Sequence, residues 1–202
     1  MPWIGVDTDQ NTGVPEASQQ QNVTMIASYF RAQGWTDNAI AALCGNMEIE
    51  SYLNPGQFEL NKNYNPEFGF GLVQWTPAIN KYYGYATGNN IDINDPDING
   101  PAQLAYLIDT HANEYYPTST WPQTWNQFIV MTDPEDAASV FMHNYERPGS
   151  YQHEQERRDH ASYWYNEMQN GWPSDPGGTG GNSIHDILGG IIWDQRRRKV
   201  RP

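Results

Sequence analysis

Gly45-Asn46-Met47-Glu48-Ile49-Glu50-Ser51 and, further along, Gly69-Phe70-Gly71-Leu72-Val73-Gln74-Trp75 carry most of the structural information in this chain. Ile40, Leu43 and Met47 are spaced three and four residues apart, and Glu50 continues the spacing. This predicts a helix whose apolar stripe ends in an acid. Withdrawal from water disfavours a carboxylate's charged form and raises its pKa. An acid kept protonated in this way near neutral pH is able to donate a proton to a leaving group. Glu48 lies roughly 200° around a helix of 3.6 residues per turn and is expected to face water. An acid on an apolar face also reads as a structural one, paired with Arg31, Arg147 or the backbone.

The second stretch changes that balance. Asn61, Asn63, Asn65, Pro66, Gly69 and Gly71 interleave with Tyr64, Phe68, Phe70, Leu72 and Val73, which predicts a small β-hairpin beside the helix. Gly69 and Gly71 allow close backbone approach. Gln74 offers a donor and an acceptor suited to hydroxyl and acetamido groups, and Trp75 offers a flat apolar face. A hydrophobically placed acid next to a polar-tipped, aromatic-lined hairpin is the arrangement glycoside cleavage requires.

Outward from these stretches, the 202 residues suffice for one sizeable domain plus arms. Eight Trp and thirteen Tyr are too many for a disordered chain. A net charge of -13 argues against nucleic acid as a partner, because backbone binding needs a basic surface. With Cys44 as the only cysteine no intrachain disulfide forms, and a buried thiol is expected there. No run of eighteen apolar residues predicts a transmembrane helix, and residues 1–7 lack the pattern of a secretory signal. The histidines show no zinc spacing. Asp95-Pro96-Asp97-Ile98-Asn99-Gly100 fits the start of a calcium loop, but Tyr106 stands where a bidentate Glu is needed. No metal or cofactor is expected.

Four parts are expected: an irregular N-terminal arm (1–20), a catalytic domain (21–172), a Gly/Pro-rich linker (173–182) and a basic amphipathic C-terminal tail (183–202). Helices are predicted at about 21–33, stopped by Gly34, from Thr36 as N-cap through Glu50, and at about 77–86, 101–115, 122–131, 134–146 and 155–169. Thr76-Pro77 and Asp133-Pro134 both read as a cap followed by a first-turn proline.

Ala42-Leu43-Cys44-Gly45-Asn46-Met47-Glu48-Ile49-Glu50-Ser51, Asn54-Pro55-Gly56 and Gly69-Phe70-Gly71-Leu72-Val73-Gln74-Trp75-Thr76-Pro77 closely resemble the phage tail-type lysozyme family. A third block agrees: Tyr145-Glu146-Arg147-Pro148 with Arg157, Asp159, Ala161 and Tyr163-Trp164-Tyr165. The resemblance covers about residues 21–169, and the blocks fall in the family's order. It implies an α+β, mainly helical lysozyme-like fold, with goose-type lysozymes and lytic transglycosylases as cousins. It further implies a peptidoglycan hydrolase that cleaves the β-1,4 bond between N-acetylmuramic acid and N-acetylglucosamine.

By that resemblance Glu50 matches the general acid, and Gln74 and Trp75 match the groove-lining end of the hairpin. Tyr145 sits where cousins carry a sugar-contacting tyrosine, a core tyrosine being the other reading. Glu67 is the first candidate for a second carboxylate and Glu59 the next. The implied setting is a phage virion tail acting on the host wall, or the host cytoplasm before lysis, with other tail proteins as partners through residues 183–202. A lytic transglycosylase using the same acid and a non-catalytic glycan-binding tail protein remain alternatives.

Overall fold

The computed structural model describes residues 1–10 and 14–170, which lie within one compact unit, Met1–Trp172. The expected linker (173–182) and tail (183–202) lie outside the described residues.

Helix α1 (Glu16–Arg31) begins inside the expected arm. Its predicted stripe of Val23, Ile26, Ala27 and Phe30 is buried. Gly34, at φ +83°, takes the chain out of the helix. Thr36 then caps α2 (Asp37–Ser51), its hydroxyl accepting the Ala39 amide at 3.2 Å.

Helix α2 is the axis of the fold. Every residue from Ala39 to Met47 is buried, so the helix has no water-facing side along most of its length. It packs against α6 (Pro134–Phe141) and α7 (Glu154–Gln169). The α2–α7 approach depends on Gly45. A methyl group there would stand 2.6 Å from the Arg157 carbonyl oxygen and 2.7 Å from the Ala161 amide nitrogen, both immobile backbone atoms. Gly45→Ala is therefore expected to cost about 1–3 kcal/mol by forcing the helices apart. Thermal unfolding checks this, and an unchanged midpoint would show that α7 slides freely.

The rest of the helical frame is α3 (Tyr82–Gly88), α4 (Pro96–Glu114) and the short α5 (Trp125–Phe128). Asp95 and Asp133 cap α4 and α6 ahead of a first-turn proline. The residues of the calcium-like stretch have structural work instead. Asp95 caps, Asp97 accepts the Trp3 amide at 2.6 Å, and buried Asn99 donates to the Pro55 and Ile93 carbonyls at 2.9 Å each. Through Trp3 the N-terminal segment packs on α4, its ring filling the space left by Gly100. No helix of the described residues is long and apolar enough to cross a membrane.

Two expectations fail. The β-hairpin is absent: among the described residues, 57–75 holds only the isolated bridges Phe58–Phe70 and Phe70–Trp75, plus a contact from Gln57 to Thr8. Asn61, Asn63, Tyr64, Gly71 and Gln74 all adopt positive φ, so the chain reverses too often for a ladder. Backbone pairing is confined to scattered bonds, such as the Glu59 amide to the Gly69 carbonyl and the Gly71 amide to the Gln57 carbonyl at 2.8 Å each, while the Gly69 amide donates to the Glu59 carboxylate at 3.0 Å and the Leu72 amide to the Gln103 carboxamide at 2.7 Å. Thr76-Pro77 starts no α-helix either. The Thr76 hydroxyl donates to the Gln74 carbonyl at 3.0 Å, and a short 3-10 turn, Ala78–Asn80, follows.

Candidate active site

The end of α2, the turn-rich 52–76 segment and a π-helical turn, Met142–Glu146, enclose a cavity of about 730 Å³. The sequence expects α6 to continue through residue 146. It widens at Met142 instead, and Arg147, at φ +48°, ends it. Such a π-turn changes which side chains face inward. Here Tyr145 and Glu146 reach the cavity wall, together with Glu50, Glu59, Gln74 and Trp75.

Glu50 thus lines a cleft, but its surroundings differ from the expected apolar pocket. Its side chain is 21% exposed and accepts a hydrogen bond from the Arg157 guanidinium of α7. A charge partner, rather than grease alone, sets its environment. Arg157 is buried, and its other terminal nitrogen donates to Glu146 at 2.6 Å and to Asn46 Oδ1 at 3.0 Å. Glu146 is more enclosed than Glu50, with a side chain only 4% exposed. Burial holds its carboxyl well above the usual carboxylate range, against the pull of Arg157 and with the help of Glu50's charge. Its Oε1 has no hydrogen-bond partner among the described residues.

Glu48 does not face water. It accepts the Trp164 indole N–H at 2.7 Å and pairs with His160 at 2.8 Å, with a side chain 14% exposed. The hydrogen bond that the His160 ring donates to Glu48 raises the His160 pKa. The angular argument fails because α2 is wrapped on all sides, so rotating 200° leads to α7 rather than to solvent.

Trp75 and Tyr145 border the cavity but are nearly buried, and the Trp75 indole donates to the Tyr145 hydroxyl at 2.9 Å. Trp75 packs edge-on against Tyr106, and Tyr145 stacks on Phe141. Burial and this packing leave little free ring face for a sugar. Gln74 lines the cavity with its Nε2 bonded to the Gln57 and Gly71 carbonyls. The tight glycines serve these contacts: a methyl group at Gly69 would stand 2.5 Å from Gln74 Oε1, and one at Gly71 the same distance from Gln103 Oε1. Glu67 is exposed and is not on the cavity wall, whereas Glu59 is. The Glu59 carboxylate is held by the Gly69 amide and lies 3.8 Å from Lys62.

Glu146 and Arg157 were not singled out from sequence as site residues. Arg157 did leave a signal, since Arg157, Ala161, Trp164 and Met168 form the buried stripe of α7. An arginine in such a stripe must find carboxylates. The alternative partners behave differently: Arg31 pairs with Asp37, and Arg147 lies 4.0 Å from Glu114 and over the Tyr116 ring. Among the described residues no group of three or more His, Cys, Asp or Glu side chains is arranged to hold a metal.

Residues 21–168 match the family model described as phage tail lysozyme. Morphogenesis protein 1 of Bacillus phage B103 is 34% identical over 148 residues, which are 73% of this chain and 39% of that protein. The chain therefore spans less than half of that relative's length.

Proposed function

Because the chain belongs to the phage tail lysozyme family, we propose that it hydrolyses the β-1,4 bond between N-acetylmuramic acid and N-acetylglucosamine in peptidoglycan. The observation that carries this reading is the position of Glu50 at the end of α2, on the wall of a cleft large enough for an aminosugar chain. Glu50 protonates the glycosidic oxygen as positive charge develops on the sugar. Arg157 stabilises the carboxylate left behind. Glu59 takes a proton from the attacking water, whose hydroxyl goes to the anomeric carbon. Gln74 contacts the glycan, and Trp75 supports Tyr145 at the cavity wall.

This assignment moves the second-carboxylate role from Glu67 to Glu59. Glu59→Gln is expected to lower turnover by roughly tenfold to a hundredfold, whereas Glu67→Gln stays near wild type. Initial rates of fragment release from purified walls check both, and a large loss confined to Glu67→Gln would reverse the assignment. Mass spectrometry of the digest tests the reaction itself. Hydrolysis leaves reducing muramic ends, while a transglycosylase leaves 1,6-anhydro ends lighter by one water. Failure of the wild type to release any fragment would favour a glycan-binding role.

In keeping with its phage relative, the protein is proposed to act from the virion on the host wall. Docking of residues 183–202 on other tail proteins belongs to the same proposal, as does the division of the chain into arm, catalytic domain, linker and tail.

A further inference from the structure

The cleft contains an arrangement that a single general acid does not need. Two carboxylates from different elements, Glu50 of α2 and Glu146 of the π-turn, meet one buried guanidinium, Arg157 of α7. Arginine stays charged at all accessible pH. If both acids are ionised, the buried trio carries a net negative charge with Glu146 Oε1 unpartnered, an expensive state in a low-dielectric setting. One proton relieves it.

We propose that Glu146 is a positioning residue that shares one proton with Glu50 across Arg157 and thereby sets the protonation of the general acid. This rests on the lysozyme reading of Glu50. Two microstates compete. When Glu146 holds the proton, Glu50 faces the whole charge of Arg157 and stays ionised. When Glu146 is ionised it absorbs much of that charge, and Glu50 keeps its proton. Glu50 is the more exposed of the two, so a glycan that covers it removes more hydration from Glu50 than from Glu146. Burial disfavours ionised Glu146, so the shared proton rests with Glu146 before substrate arrives. The proton that Glu50 gives to the glycosidic oxygen returns from solvent, and Glu146 exchanges none with the substrate.

Other charges near the trio pair elsewhere. Arg147 and Lys81 attend Glu114 of α4, His143 lies 3.3 Å from Glu154 of α7, and Glu48 is paired with His160. Glu156 adds a more distant negative charge to Arg157. Asn46 contributes a neutral acceptor to the same guanidinium.

The test is the pH profile of kcat/KM for Glu146→Gln, which keeps the side chain's shape and an acceptor for Arg157. Without the Glu146 charge, Arg157 acts on Glu50 alone, and the alkaline limb is expected to move about one pH unit or more toward acid. Activity then stays near wild type on the acid side and falls about tenfold per unit beyond the new limb. A uniform loss at every pH, or an unmoved limb, overturns the proposal. Carboxyl carbon NMR of the wild-type protein provides a readout independent of activity and of the variant's folding. Glu50 and Glu146 are expected to report each other's titration in two coupled steps, and independent single-step curves overturn the proposal. Should the wild type prove inactive on glycan, the coupled titration still decides the proton sharing, so the two failures are separable.

Discussion

Glu50→Gln is expected to lower glycan cleavage by roughly two to four orders of magnitude, the usual scale for losing a positioned general acid. The substitution removes a proton donor and leaves the shape intact, and its amide oxygen still accepts from Arg157. The variant should therefore fold and melt close to wild type. Zymograms and fragment-release rates, read beside circular dichroism, make the measurement. Full clearing by the variant would refute the assignment of Glu50. Glu48→Gln is the control, with activity expected near wild type. Its cost is to stability, because the charged partner of His160 and a strong acceptor for Trp164 are lost. Since the folded His160 pKa is raised, the ion pair contributes fully below the ordinary histidine value and fades as pH rises through the raised one. The melting-temperature gap between Glu48→Gln and wild type is thus expected to be wider at pH 5 than at pH 9.

Arg157→Met is expected to be the most destabilising single change at the site, by about 3–5 kcal/mol. For a unit of this size that is a fall in melting temperature of roughly 6–20 °C. The reason is the company Arg157 keeps. It is buried, and its removal strands Glu146 in the interior with neither oxygen partnered, while Asn46 loses the donor at its Oδ1. Adding Glu146→Gln to Arg157→Met should recover part of the loss, since the stranded group is then neutral. A double-mutant cycle in thermal or urea unfolding measures the coupling. Additive losses would mean that Glu146 and Arg157 do not sense each other, and the ion pair would carry no energetic meaning.

The sequence determined a good deal. Caps and first-turn prolines located the starts of α2 and α6, and the apolar spacing of Val23, Ile26, Ala27 and Phe30 marked the buried face of α1. It also placed Glu50 at the end of a helix, next to a segment rich in Gly, Asn and aromatic residues. These are local facts, written in the order of residues along the chain. The structure decided what Glu50 experiences there. Residue spacing describes how a helix divides between oil and water only where it has a wet side, and α2, central to the fold, has little. Glu48 consequently meets Trp164 and His160 instead of solvent, and Glu50 meets Arg157 from 107 residues away. The hairpin failed because repeated positive-φ reversals leave the backbone of 57–75 only isolated bridges, and two of its amides, Gly69 and Leu72, are taken by the side chains of Glu59 and of Gln103 from α4. Charge and hydrogen-bond partners that arrive from distant elements depend on how helices pack, and no periodicity within one segment encodes them.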